Sequence, residues 1–182
     1  YTRSTNPSPY MLEIDEIHNI PIFKPHLTTT ALNTVVSNYL EKLLAPMRCV
    51  HGTLLEISGI GVLLTGRSGQ GKSETALELI HRGHRLVADD AVIVKRFGEQ
   101  LIGTAPDKIK FFMAVRGIGI IDIRSMYGVA SVLPQSAIDL VIELRKWSGD
   151  EEFDRIADKA EYEEILGMTV PKTVLPVMPG RN

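Results

Sequence analysis

The spacing of apolar residues changes along the chain, and each spacing predicts a different kind of element. One early segment repeats apolar residues at helical intervals: Leu32, Val35, Val36, Tyr39, Leu40 and Leu43. Thr28–Thr30 supply an N-cap for this segment and Pro46 ends it. We therefore predict a connecting helix, with the main domain starting near Met47.

After Met47 the pattern changes to short apolar runs separated by turns. "GTLLEI" and "GVLLT" flank a turn at Ser58–Gly61 and predict a hairpin. "SETALELIHRG" is amphipathic and predicts a helix that ends at Gly83. "RLVADDAVIV" predicts two strands joined by an acidic turn. Further strands are predicted at "QLIGTA", "AIDLVIELRKW" and "KTVLPV".

The order of these elements indicates the fold class. Many strands follow the first loop and helix with little helix between them, unlike a doubly wound nucleotide-binding fold. We predict a mixed, strand-rich α/β domain over residues 47–182. Residues 1–46 are predicted to be the tail of an N-terminal domain plus the linker helix, with a strand at Ile20–Phe23. The acidic stretch Asp150–Gly167 is predicted to be part loop and part helix.

Composition narrows the class of protein. The 182 residues carry a net charge of −2, so no broad basic surface for nucleic acid is expected. No apolar stretch reaches the roughly 18–20 residues that a membrane span needs. Cys49 is the single cysteine, which excludes an internal disulfide and fits a reducing cytoplasm. Because the chain begins at Tyr1 without a methionine, we expect it to be a shortened form of a longer protein.

The stretch "GRSGQGKSE" after "GVLLT" has the phosphate-binding loop pattern Gly-x-x-x-x-Gly-Lys-Ser. Its glycines permit backbone N–H groups to face a phosphate at the start of the following helix. Lys72 is predicted to reach the outer phosphates and Ser73 to bind Mg²⁺. The alternative is a glycine turn that merely starts a helix, but a strand precedes this loop and a helix follows it. The candidate nucleotide-binding residues are Gly66, Arg67, Ser68, Gly69, Gln70, Gly71, Lys72 and Ser73.

Two consecutive carboxylates, Asp89 and Asp90, follow the apolar strand "RLVA". Beside a phosphate loop, one carboxylate can lie near Mg²⁺ while the other accepts a proton from an attacking hydroxyl group. We assign Asp89 as a candidate metal ligand and both residues as candidate catalytic groups. The alternative is a solvated turn in which Asp89 caps a backbone N–H. The sequence does not distinguish which of the two is the base.

Three stretches together identify a family resemblance. "VHGTLLEISGIGVLLTGRSGQGKSETALELIHRGHRLVADD", "VRGIGIIDIRSMYG" and "VLPVMPGRN" resemble the bacterial HPr kinase/phosphorylase family. The resemblance implies a fold similar to phosphoenolpyruvate carboxykinase and a hexameric assembly. It also implies an Mg²⁺-dependent enzyme that uses ATP to phosphorylate a serine of the phosphocarrier protein HPr. The same family uses inorganic phosphate to remove that group, which releases pyrophosphate.

The resemblance also implies roles for particular residues. His51 matches an active-site histidine, Arg155 matches an active-site arginine, and Pro176–Arg181 matches a loop needed for dephosphorylation. His51 precedes a glycine and is predicted to start a strand. Without the resemblance, His51 would be interpreted as structural and Arg155 as part of a surface ion pair. Arg116, in "VRGIGIID", is a further residue that can face the phosphate site.

Several positions depart from the family pattern. Ala114 stands where the resemblance implies a glutamate that helps to bind Mg²⁺, so either Ser73 and the aspartates suffice, another carboxylate substitutes, or activity is weakened. Arg67 stands in place of a common aspartate, and Met178 in place of a common basic residue. We also expect C-terminal helices of the family to be absent after Asn182. Two alternatives therefore stay open: a carboxykinase-like or small-molecule kinase, and a nucleotide-binding module with little catalytic activity.

Overall fold

The structure is a computed structural model of the chain, and it describes residues 2–3, 5–147 and 161–177. The chain divides into two compact units, Tyr1–Ala45 and Pro46–Asn182. Within the described ranges, every helix falls short of the length and hydrophobicity that a bilayer crossing requires.

The first unit contains two helices, α1 at Pro9–His18 and α2 at Thr29–Leu44. The prediction of α2 is confirmed, and the side chain of Thr28 caps the helix by accepting a hydrogen bond from the backbone N–H of Ala31 at 3.3 Å. The strand predicted at Ile20–Phe23 is wrong, because this segment has no regular secondary structure. Pro21 within the segment and Pro25 after it lack backbone N–H groups and oppose strand pairing.

The second unit is built mainly from strands. Its strands are β1 Met47–His51, β2 Thr53–Ile57, β3 Ile60–Thr65, β4 Arg85–Ala88, β5 Ala91–Phe97, β6 Gln100–Thr104, β7 Phe112–Val115, β8 Gly119–Asp122, β9 Gln135–Ala137, β10 Leu140–Lys146, β11 Glu161–Ile165 and β12 Met168–Val177. Its α-helices are α3 Lys72–His81 and α4 Ile123–Tyr127, and short 3-10 helices lie at Asp107–Ile109 and Val129–Ser131. The predicted mixed, strand-rich α/β class is confirmed.

Among the described residues, the strands form three sheets. The largest has the order β11-β12-β10-β3-β2-β4, in which β10 runs parallel to both β3 and β12 and the other pairs are antiparallel. A second, antiparallel sheet has the order β1-β5-β6-β9. Strands β7 and β8 form a separate antiparallel pair. The β2–β3 pairing confirms the predicted hairpin.

Both faces of the large sheet are covered by apolar side chains. Because successive side chains of a strand point to opposite faces, Leu54 and Leu55 belong to different core clusters. The cluster around Leu54 includes Val92 and Val94 of β5, so it joins the large sheet to the second sheet. The cluster around Leu55 includes Ala76 and Ile80 and holds α3 against the other face. This packing fixes the start of α3, where the glycine loop ends.

Two sequence predictions need correction in this unit. His51 was expected to start a strand, but it is the last residue of β1, and the next strand starts at Thr53. The predicted loop-and-helix stretch contains β11 at Glu161–Ile165, which pairs with β12. The pairing partner is remote from the local pattern, so tertiary contacts outweigh the helical propensity of the glutamates here. The preceding part of that stretch lies outside the described residues.

Candidate active site

The glycine loop joins β3 to α3 and approaches β10 closely. Gly66 has a φ of 131°, which a residue with a side chain rarely adopts. A Cβ at this position would lie 2.5 Å from the backbone oxygen of Leu144 and 2.6 Å from Oε1 of Gln70. Gln70 in turn accepts a hydrogen bond from the backbone N–H of Arg67 at 2.6 Å. Only glycine therefore fits where the loop leaves β3.

Lys72 begins α3 and bends back over the loop. Its side chain is buried, and Nζ donates hydrogen bonds to the backbone oxygens of Gly66 at 3.0 Å and Arg67 at 3.2 Å. A lysine ammonium has three N–H donors, so one remains for an anion. Gly71 precedes the helix without a capping side chain, which leaves the N–H groups of the first helical turn for the same anion.

The carboxylate of Asp89 is a meeting point of four segments. Asp89 directly follows β4 and is only 4% exposed. Its Oδ1 accepts from Oγ1 of Thr53 at 2.7 Å, and both carboxylate oxygens lie 3.2 Å from Oγ of Ser73. The backbone N–H of Ala114, in β7, donates to Oδ2 at 3.3 Å. The structure thus brings the end of the phosphate loop and the first aspartate into direct contact.

Asp90 has a different environment from Asp89. Its φ of 66° is left-handed, and its side chain is 74% exposed. Nδ1 of His51 lies 2.9 Å from the backbone oxygen of Asp90 and 3.3 Å from Oδ1. The structure therefore places the predicted histidine, His51, beside Asp90 at the surface. The predicted metal ligands, Ser73 and Asp89, lie in contact with each other, and Asp89 is buried.

Arg116 lies beside the tip of the glycine loop. A methyl group built on Gly69 would be 3.8 Å from Nη2 and 3.9 Å from Nη1 of Arg116. Arg116 directly follows β7, the strand whose Ala114 contacts Asp89. A planar guanidinium close to exposed loop amides is suited to bind phosphate oxygens.

A network of charged side chains supports β10 next to the loop. Nζ of Lys172 lies 2.9 Å from Oε2 of Glu143 and 2.9 Å from Oε2 of Glu163. The hydrogen bond from Lys172 holds the pKa of Glu143 below its usual value, with a smaller contribution from Arg145. The two glutamates raise the pKa of Lys172. Glu143 immediately precedes Leu144, whose carbonyl abuts Gly66.

The donor set suits Mg²⁺ as a partner of nucleotide phosphates. Ser73 and Asp89 supply hard oxygen ligands within hydrogen-bonding distance of each other. In the described part of the chain, no group of three or more His, Cys, Asp or Glu side chains is placed to hold a metal ion by itself. Mg²⁺ typically takes one or two protein oxygens and completes its coordination with phosphates and water, so these residues fit it.

Thr53 belongs to the site but was not predicted from the sequence, and some of the predicted site residues lie outside the described part of the chain. Thr53 is a fully buried polar residue in the apolar strand "TLLEI", and that mismatch was the available signal. Arg155 is not among the described residues. Of the predicted dephosphorylation loop, Pro176 and Val177 are the last residues of β12 and the remainder lies beyond the described range.

Comparison with known proteins gives one consistent family. The family model described as HPr Serine kinase C-terminal domain matches residues 42–182. The HPr kinase/phosphorylase of Geobacillus thermodenitrificans (strain NG80-2) is 44% identical over 182 residues, covering 100% of this chain and 59% of that protein. The protein of the same name from Caldanaerobacter subterraneus subsp. tengcongensis is 47% identical and matches over 60% of its length.

A solved structure agrees with these sequence matches. The HPr(Ser) kinase/phosphatase from Coxiella burnetii superimposes with a TM-score of 0.69 and 40% identity, covering 74% of this chain and 82% of that chain. The chain spans 59% and 60% of the lengths of the two curated relatives above. On the match over residues 42–182 and these identities, the chain belongs to the HPr serine kinase family.

Proposed function

We propose that this chain transfers the γ-phosphoryl group of ATP to a serine of HPr, and that it removes the group with inorganic phosphate to give pyrophosphate. The observation that carries the proposal is the contact between Ser73 of the phosphate loop and Asp89, with Asp90 beside it at the surface. This arrangement brings together the loop that would hold the phosphates, the two residues that would hold Mg²⁺, and the exposed Asp90 carboxylate that would accept a proton. The names of the relatives point to the same substrate.

The nucleotide phosphates bind to the residues Gly66–Ser73 in this proposal. The N–H groups at the start of α3 and the remaining N–H of Lys72 supply the donors. Arg116, beside Gly69, adds positive charge at the outer side of the loop. These groups orient the phosphoryl group and stabilise the negative charge that is spread over its oxygens during transfer.

Ser73 and Asp89 hold Mg²⁺ in the proposal. When bound, Mg²⁺ neutralises charge on the β- and γ-phosphates and on pyrophosphate. Asp89 is suited to this role and not to that of the base, because it is buried and its oxygens already accept from Thr53, Ser73 and Ala114.

Asp90 is the proposed proton acceptor, since its exposed carboxylate can reach the hydroxyl of a protein substrate. In the forward direction the serine oxygen forms a bond to the γ-phosphorus, its proton passes to Asp90, and the bond to the β-phosphate oxygen breaks to release ADP. In reverse, a phosphate oxygen attacks the phosphoserine phosphorus, and Asp90 returns the proton to the departing serine oxygen. His51, next to Asp90, orients this carboxylate.

Further parts of the proposal rest on the family resemblance. Arg155 would stabilise charge on the transferred group, and the loop Pro176–Arg181 would serve dephosphorylation. The proposal also includes a homohexamer that acts in the cytoplasm, without a nucleic-acid or membrane partner.

One alternative is favoured by a specific residue. Ala114 has no side-chain oxygen, and it lies next to Asp89 at the magnesium pair. A chain that binds nucleotide but transfers phosphate poorly would fit this alanine.

The test is an incubation of the chain with purified HPr, ATP and Mg²⁺, followed by mass spectrometry of HPr and then by addition of inorganic phosphate. We expect phosphorylation of a serine, its reversal, and release of pyrophosphate. Lys72→Ala, which removes the loop ammonium group, is the inactive control. ATP binding without transfer would favour the nucleotide-binding module, and transfer only to a small metabolite would favour the small-molecule kinase.

A further inference from the structure

We infer that Thr53 is a positioning residue, whose hydroxyl group fixes the Asp89 carboxylate for binding of the divalent cation. The inference rests on the proposed role of Asp89 as a magnesium ligand, and it concerns a side chain outside both the phosphate loop and the acidic pair. Thr53 does not touch the reacting atoms in this account; it acts through Asp89.

The position of Thr53 is otherwise one for an apolar residue. It is fully buried, and so are the two leucines that follow it in β2. A hydroxyl group taken out of water without a hydrogen-bond partner is destabilising. Thr53 meets this requirement through Asp89, by the shortest of the contacts to that carboxylate, at 2.7 Å.

Strand pairing explains why the two side chains meet. Strands β2 and β4 are antiparallel, with Leu54 opposite Ala88, and one further step in this register brings Thr53 opposite Asp89. The register shifts between Leu54 and Leu55, at the same end of the strand. Such irregularities re-aim side chains near functional sites, and directly opposed residues project on one face of the sheet.

The hydrogen bonds at Asp89 are divided between its two oxygens. Thr53 donates to Oδ1 and the backbone N–H of Ala114 donates to Oδ2, so strands β2 and β7 hold the carboxylate from two sides. A carboxylate offers about four acceptor positions, which leaves the others on the side that faces Ser73. Ser73 is the other predicted magnesium ligand, and its Oγ is equidistant from both carboxylate oxygens. The two fixed donors therefore direct the free acceptor positions toward the cation site.

The inference predicts a selective effect on cation binding. Loss of a residue that orients a metal ligand typically weakens metal affinity by about 10–100-fold. Thr53→Val keeps the branched shape and removes only the donor. Thr53→Ser keeps the donor and removes a methyl group. If the hydroxyl positions Asp89, valine weakens cation binding in this range and serine retains affinity within about threefold of the original.

The experiment uses Mn²⁺ as a paramagnetic probe for Mg²⁺, titrated by electron paramagnetic resonance into the chain with a non-hydrolysable ATP analogue. The original chain, Thr53→Val and Thr53→Ser are compared. Thr104→Val is the matched control, because Thr104 is a strand residue whose hydroxyl donates to the backbone oxygen of Ile93 at 3.4 Å. Circular dichroism checks the fold of each variant, and Thr53→Ala replaces the valine variant if valine is not tolerated.

Each result has one interpretation. Weak Mn²⁺ binding by Thr53→Val, with rescue by Thr53→Ser and no effect of Thr104→Val, supports the inference. Unchanged Mn²⁺ binding in Thr53→Val and Thr53→Ala overturns it while leaving the proposed function intact, and so does an equal loss in the serine and valine variants. Absence of nucleotide-dependent Mn²⁺ binding by the original chain overturns the proposed metal site and, with it, the inference.

Discussion

Asp89 and Asp90 are adjacent in the sequence, but one carboxylate is buried and the other is exposed. Asp89 is 4% exposed and held by donors from three segments, whereas the side chain of Asp90 is 74% exposed and lies beside His51. The left-handed backbone of Asp90, with φ of 66°, accompanies this change of direction. Two identical groups in a row thus have different environments, as the proposed roles of Asp89 in metal binding and Asp90 in proton transfer require.

The first prediction separates these two roles. We expect Asp90→Asn to lower the rate of phosphoryl transfer by about 10²–10⁴-fold, because the asparagine cannot accept the serine proton. The affinity for ATP and Mg²⁺ should stay within a few-fold. Asp89→Asn should instead weaken Mn²⁺ binding, because the amide removes the charge at the cation site. Single-turnover transfer and calorimetric nucleotide binding measure the two effects. Equal loss of nucleotide affinity in both variants would contradict the division of roles.

The second prediction concerns the close approach of Gly66 to β10. Gly66→Ala adds a methyl group 2.5 Å from the backbone oxygen of Leu144, so the loop has to move and ATP affinity should fall at least tenfold. Gly59→Ala is the matched control, because Gly59 also has a positive φ, of 90°, but has open space around it. Gly59→Ala should lose about 1–2 kcal/mol of unfolding free energy through backbone strain, and Gly66→Ala should lose at least as much, because the close contact with Leu144 adds to the strain. Chemical denaturation and calorimetry distinguish the shared strain from the loss of binding. Normal ATP affinity in Gly66→Ala would contradict the proposed loop geometry.

The sequence predicted local elements of the fold well, and contacts between distant parts of the chain poorly. The β2–β3 hairpin and α2 follow from patterns contained in a few neighbouring residues, and the structure confirms them. Strand β11 was missed because its glutamates are stabilised by pairing with β12 and by Lys172, neither of which is visible locally. Thr53 was missed for the same reason: its importance depends on a contact with a residue 36 positions away.

The third prediction tests Arg116 as a phosphate-binding residue. Arg116→Ala should weaken binding of pyrophosphate and ATP by about tenfold or more, since a hydrogen bond to a charged group contributes about 1.5–3 kcal/mol. Arg116→Lys should retain part of the affinity, because it keeps the charge and loses the planar fork. Arg82→Ala is the control: Arg82 follows the far end of α3 and pairs with Glu78. Calorimetric titration with pyrophosphate measures the effect, and equal affinities of the Arg116 and Arg82 variants would contradict it.

The fourth prediction concerns the pH dependence of stability. The pKa of Glu143 is lowered from 4.5 chiefly by its hydrogen bond with Lys172, so this stabilisation is present above pH 4.5 and is lost as pH falls through the folded-state pKa. The pKa of Lys172 is raised from 10.5, so the contribution of the ammonium group is lost only as pH rises above that value.

Lys172→Met should therefore lower the unfolding free energy at pH 7 by roughly 1 kcal/mol, given the partial exposure of the network. It should also flatten the loss of stability below pH 4.5, because Glu143 then titrates in the folded state closer to its unfolded value. Denaturant unfolding at a series of pH values measures both effects. Lys108→Met is the control, because Lys108 is exposed. If Lys172→Met loses stability below pH 4.5 as steeply as the original chain does, the network makes no contribution to the acid dependence.

The last prediction concerns Ala114, where the family resemblance implies a glutamate. The backbone N–H of Ala114 lies 3.3 Å from Oδ2 of Asp89, so a carboxylate at this position adds negative charge at the cation site. Without a divalent cation, Ala114→Glu should lower stability slightly through repulsion from Asp89. With Mg²⁺ and nucleotide it should be stabilised more than the original chain, because tighter binding to the folded state raises stability by mass action.

The sign of this effect separates a metal ligand from a general change in stability. A merely destabilising substitution shifts the melting temperature in the same direction with EDTA and with Mg²⁺-nucleotide. A substitution that adds a metal ligand lowers the melting temperature with EDTA and raises it with Mg²⁺-nucleotide, relative to the original chain. Ala114→Gln is the control, because glutamine has the same length as glutamate without its charge. This variant should not show the change of sign between EDTA and Mg²⁺-nucleotide. If Ala114→Glu is instead shifted in the same direction under both conditions, a glutamate at position 114 does not bind the cation in this chain and the prediction is wrong.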